Sequence, residues 1–202
     1  MMSTRLYTIC LLVTALLAGL QPIHARQADE SAAIRSMLLE RESSIKDILG
    51  DDTELSDGQM DALRSAVNDM FDFNAMGREA LGRHWNELSS DQQQEFVDTF
   101  AGIVRHQSLA DVDIYRAQVN YETITVDGNS AHVITTTTYK DVPTRVEYML
   151  QRSDSDWRAT DVILDEVSTV EGYSRSFQSY IRKRGFDALM ANLTKRLEQT
   201  RS

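Results

Sequence analysis

The period of the hydrophobic pattern changes twice along this chain, and that change constrains the fold more than any motif. Up to Val104 apolar residues recur at helical spacing, from Arg116 they alternate with polar ones, and from Val167 helical spacing returns. Helices, then strands, then helices is not a βαβ alternation, so an α+β packing is expected rather than a parallel sheet with crossovers. Ile34, Met37, Leu38, Ile45, Ile48 and Leu49 predict a first helix, ended by Gly50-Asp51-Asp52. Asp57 supplies a capping residue for a second, with Met60, Leu63, Val67, Met70 and Phe71 as its stripe, and a helical turn is expected from Ala75 to Leu81. Ser89 and Gln92 stand at capping-box spacing ahead of Phe96, Val97, Phe100, Ile103 and Val104.

In the middle region Val119, Tyr121 and Ile124 alternate with Gln118, Asn120 and Glu122 up to Asp127-Gly128, a hairpin signal. Ala131 to Lys140, rich in Val, Ile and Thr, predicts a second strand, Pro143 marks a turn, Val146 to Leu150 a third strand and Trp157 to Leu164 a fourth. Beyond Val167, Phe177, Tyr180 and Ile181 precede Gly185, and Phe186, Leu189, Met190, Leu193 and Leu197 follow it. The expectation is a helical N-terminal half and C-terminal helices packed on a curved, four-stranded antiparallel sheet, a ketosteroid-isomerase-like cone.

The first 25 residues are set apart. Arg5 precedes the apolar run LYTICLLVTALLAGL, which ends in Gln21-Pro22 and a candidate cleavage site at Ala25. Residues 1–25 are thus expected to be a cleaved secretory signal, and 26–202 a single exported domain of 177 residues. Cys10 leaves with the signal, so the mature chain has no thiol and needs a core large enough to fold without disulfides. One arginine leaves too, and the net charge of −10 becomes −11. Such a body repels phosphate backbones, and no nucleic-acid partner is expected.

Searching for chemistry yields mostly absences. His84, His106 and His132 have no ligand spacing, and no metal is expected. Gly172-Tyr173-Ser174-Arg175-Ser176 lacks the last glycine of a nucleophile elbow. Asp161, Asp165 and Glu166 offer carboxylates at the end of the fourth strand, either as a general base or as helix caps. The basic groups Arg182, Lys183, Arg184, Lys195 and Arg196 suit a solvated helix face or an acidic partner.

The segment DFNAMGREALGRHWNELSSDQQQEFVDTF, Asp72 to Phe100, resembles the "DF, then G-x-x-W, then S-x-x-Q-x-x-x-F" signature of the MlaC / toluene-tolerance family of periplasmic phospholipid-binding proteins. DWRATDVILDEVSTVEGYSRSFQSYIRKRGFDALMANL, Asp156 to Leu193, is similar to that family's "W-K-V-x-D-V-x-V-E-G-V-S-L-V-x-N-Y-R-x-Q-F" block and its trailing helix. The likeness covers nearly all of the mature chain in order. Glu166 stands where the family usually has glycine, and Gly172 where it often has asparagine.

The resemblance implies a soluble periplasmic phospholipid carrier, an auxiliary component of an Mla-type ABC transport pathway that maintains outer-membrane lipid asymmetry. Its partners would be an inner-membrane ABC transporter complex with a lipid-binding periplasmic subunit and an outer-membrane lipoprotein/porin complex. It implies no enzyme activity and no cofactor beyond the carried lipid. The cavity wall would come from Tyr121, Val133, Thr135, Val146, Tyr148 and Val162 on strands, and from Phe100, Val104, Val167, Val170, Tyr173 and Phe177 on helices. Periodicity alone assigns these residues to a closed core. No arginine fork is evident among them, which predicts weak discrimination among head groups. Two other readings stay open: an enzyme with a ketosteroid-isomerase-like cone using a carboxylate such as Asp161, and a periplasmic interaction or chaperone module.

Overall fold

In a computed structural model, residues 23–51, 54–153 and 156–200 are described. The expected signal segment lies almost wholly outside them, and its boundary at Ala25 falls in the first turn of α1 (Ile23–Leu49). Helix α2 (Asp57–Met70) is capped by Ser56 rather than Asp57: the Ser56 hydroxyl accepts from the Gln59 backbone N–H, and the Gln59 side chain accepts from the Ser56 N–H. A serine one residue upstream completes a reciprocal box that aspartate at 57 cannot make. Asp72 caps α3 (Phe73–Leu81), and a 3-10 turn, Gly82–Glu87, leads to α4 (Ser90–Ser108), whose Ser89–Gln92 box is formed as expected.

A second 3-10 turn, Val112–Arg116, absorbs the start of the alternating region, so β1 runs Val119–Asp127. With β2 (Ser130–Tyr139), β3 (Val142–Ser153) and β4 (Asp156–Leu164) it forms an antiparallel meander. The sheet has five strands, not four, because Val167–Ser168 pairs with Ile163–Leu164 as β5 before α5 (Thr169–Arg184) begins. Gly185 separates α5 from α6 (Phe186–Gln199). Pro143 is not a turn residue. It sits within β3 opposite Thr138, on a stretch with no β4 neighbour, where its missing N–H costs no ladder bond. The turn is Lys140-Asp141, both at positive φ, and Asp165-Glu166 repeats that conformation between β4 and β5.

Both sheet edges are managed. Along β1, Gln27, Ser31 and Arg35 of α1 donate to the carbonyls of Val126, Ile124 and Tyr121 at 3.2–3.4 Å. On β4, Phe71 bridges to Ala159 and the Asp72 N–H donates to the Ala159 carbonyl at 2.9 Å.

The buried apolar side chains separate into three clusters. One is helical, with Met76, Phe96, Phe100, Ile103, Phe177 and Leu189 from α3 to α6. A second lies between α1 and the sheet, with Ile34, Leu38, Val133, Leu150 and Trp157. A third joins α1 and α2 through Ile45, Leu49, Leu63 and Val67.

Candidate functional site

Pairing register puts the six strand candidates on one face. Tyr121, Thr135 and Val146 lie directly opposite one another across β1, β2 and β3, and Val133, Tyr148 and Val162 form the next row across β2, β3 and β4. Directly paired residues share a face, so these rows make a continuous patch. Val133 and Thr135 are fully buried, and the Thr135 hydroxyl is satisfied by the Val146 carbonyl at 2.9 Å. Tyr121, Tyr148 and Val162 are only partly buried.

The helical candidates do not meet that patch in one cluster. Phe100 packs edge-on to Tyr173 at 5.1 Å and to Phe177 at 6.1 Å, and Val104 and Val170 belong to the same closed helical core. Val167 is on β5 rather than a helix, and is 61% exposed. Sequence periodicity identifies which faces are apolar without saying which faces pack together, and here the two apolar sets pack against different partners.

Phe71 is the residue that joins them. It packs against all three clusters while remaining only partly buried. A closed domain of this size normally has one contiguous core with minor satellites. Here three cores, the helical one the largest, share Phe71 at a seam, and further half-buried side chains lie at their margins: Phe73 on the helical core, Tyr121 and Tyr148 on the sheet core, Leu109 and Tyr115 on the α1–α2 core. Neither Phe71 nor Tyr115 stands out in sequence, since the first closes a helical stripe and the second lies in a 3-10 turn.

Burial dominates the electrostatics of the three half-buried tyrosines. Burial is the main cause that pushes the phenols of Tyr115 and Tyr148 up to about 12, and it raises Tyr121 further, with Glu42 beside it adding to the effect. The Tyr121 hydroxyl donates to Glu42 at 3.2 Å and that of Tyr115 to the Ser108 carbonyl at 2.9 Å. These hydroxyls remain neutral over the physiological range.

Asp161, the carboxylate offered as a general base, is a helix cap. Its Oδ1 accepts from the Val170 N–H at 3.0 Å and its Oδ2 from the Ser168 hydroxyl at 2.5 Å, at the start of α5. It borders a cleft of ≈ 520 Å³ on the opposite face of the sheet, together with Arg78, Glu79, Met149 and Glu171. A second cleft, ≈ 420 Å³, lies between α4 and α6 beside Glu95 and Lys195. Both mix charges with apolar groups and neither reaches the seam. Among the described residues no His, Cys, Asp and Glu cluster could hold a metal, and no helix is long and apolar enough to cross a membrane.

The model of the MlaC protein family matches residues 42–195 of this chain. Among solved structures, that of the phospholipid-binding protein from Ralstonia solanacearum in complex with a phospholipid is similar, with a TM-score of 0.70 and 21% sequence identity, covering 85% of this chain and 98% of that one. No curated protein matches the sequence.

Proposed function

Because the chain belongs to the MlaC family, we propose that it is a soluble periplasmic carrier of phospholipid, with the acyl chains inserted along the seam where its three apolar cores meet. The observation that carries this reading is Phe71, shared by all three clusters and closed off by none. A sixteen-carbon chain costs about 12 kcal/mol to place in water at about 0.8 kcal/mol per methylene, so transit across an aqueous compartment needs an enclosing protein. The cargo lipid bound in the Ralstonia protein supports the same use of this fold.

The carrier enters the periplasm behind a cleaved signal and works there as one domain. At a net charge of −11 it would not adhere to anionic bilayers, so loading and unloading go through protein docking, at an inner-membrane ABC transporter complex and an outer-membrane lipoprotein/porin complex. Catalysis has no support in the site, because Asp161 is committed to capping α5.

Denaturing the purified protein, extracting it into organic solvent and analysing the extract by mass spectrometry tests the reading. Phospholipid at near-stoichiometric yield is expected. Protein purified from a lipid-replete host that yields none, and that takes none up from vesicles, overturns it.

A further inference from the structure

Arg105 lies in the last turns of α4 and is half-buried, with its guanidinium 5.4 Å from the centre of the Phe73 ring. Its Nε is closed off from water and has no hydrogen-bond partner, and among the described residues no carboxylate pairs with it. Other half-buried arginines are accounted for: Arg41 donates from Nη2 to both Asp156 carboxylate oxygens, Arg152 reaches Glu30, and Arg35 donates to the Tyr121 carbonyl. A cation near a helix C-terminus is favourable wherever its side chain points, so the helix dipole does not explain why this one is turned inward with a stranded donor.

Its direction is given by its neighbours. Phe73 stands 5.6 Å from Phe71, the residue common to the three cores. Leu109, four residues after Arg105 and therefore on the same helix face, packs in the α1–α2 cluster. Arg105 thus borders the seam from the helical side.

Building on the carrier reading, we infer that Arg105 is the anchor for the phosphate of the carried lipid. Its Nε and the adjacent Nη form the planar fork that matches two oxygens of a phosphodiester monoanion, while the Phe73 ring holds the guanidinium plane. Nothing in the local sequence pattern marks this residue, because its burial arises from tertiary packing. The phosphodiester is shared by all glycerophospholipids, so this anchor adds no preference among head groups. The selectivity added is against lipids that have the same tails and no phosphate.

The test compares the full mature chain with its Arg105→Gln and Arg105→Lys variants, each stripped of lipid and reloaded from mixed micelles. The probes are phosphatidylglycerol, phosphatidylethanolamine, neutral diacylglycerol and inorganic phosphate alone. The wild type is expected to prefer both phospholipids to diacylglycerol by about 10- to 100-fold, as a charge-assisted fork provides. Arg105→Gln should lose that preference while binding diacylglycerol as before, and Arg105→Lys should keep part of it. An unchanged preference in Arg105→Gln overturns the inference. If that variant does not fold by circular dichroism, Arg105→Lys decides, and its full retention of the preference overturns the fork. Arginine-dependent protection by inorganic phosphate, with no preference for phospholipid over diacylglycerol, overturns the assignment to a lipid. A wild type that loads neither class of lipid instead removes the carrier reading itself.

Discussion

At the scale of single residues, Glu166 stores strain in its backbone. It sits at φ +68, in the left-handed region, on a two-residue turn whose other member, Asp165, is held by hydrogen bonds with Arg145. A side chain with a Cβ is strained there, whereas glycine is not. Glu166→Gly is expected to raise stability by about 0.5–1 kcal/mol, the relief of strain exceeding the added freedom of the unfolded chain. Urea melts at fixed ionic strength measure it, and a loss of stability would show that Glu166 is held by something other than backbone geometry. The seam tyrosines give a second outcome. An unfolded phenol ionises near pH ~10, and Tyr115 and Tyr148 in the fold only at about 12. Since the folded values are raised, their contribution is intact below pH ~10 and lost as pH climbs through about 12. Tyrosinate absorbance should therefore show these two ionising with the unfolding signal, and Tyr148→Phe should shift the alkaline limb upward.

Elements were legible in proportion to how local their determinants are. The Ser89–Gln92 box and the hairpin signalled by Asp127-Gly128 are written in neighbouring residues, and both formed, the hairpin turning at Gly128-Asn129 with Asp127 ending β1. Lys140-Asp141 was not legible, because Pro143 two residues on is the stronger turn signal and nothing local shows that it lies beyond the reach of β4. Strand β5 has two residues, too few for any alternation to register. Helix-to-helix approach is likewise invisible in pattern. In α3, a Cβ on Gly77 would meet the Phe96 ring at 3.2 Å and a Val97 methyl at 3.3 Å. Alanine offers about 1 kcal/mol of helix propensity, and overpacking costs about 1–3 kcal/mol. Phe96 is fully buried and has no room to give, so the second effect wins. Gly77→Ala should lower stability by up to about 2 kcal/mol in thermal melts, and a stabilised variant would mean that α3 and α4 can spread apart freely.

For the molecule as a whole, apolar periodicity foretold almost every residue of the three cores and nothing of their separation. The helix and strand candidates are real apolar faces that pack against different partners. Separate cores imply separate opening free energies, with the seam lowest. Hydrogen exchange on lipid-free and lipid-loaded protein should therefore differ most around Phe71, Tyr115 and Tyr121, with little change deep in α4. A uniform gain in protection would contradict a ligand lodged between the cores.

The sheath of α1 along β1 has a consequence for quality control. Gln27, Ser31 and Arg35 occupy the carbonyls that an incoming strand would use, so the helix works as a bound guest in the groove where another chain's backbone would otherwise zip on. A proteolytic nick that frees α1 would expose that ladder, which is then expected to seed fibrils. Light scattering and thioflavin fluorescence on a chain beginning after Arg35 should show that transition, at concentrations where the intact protein stays clear.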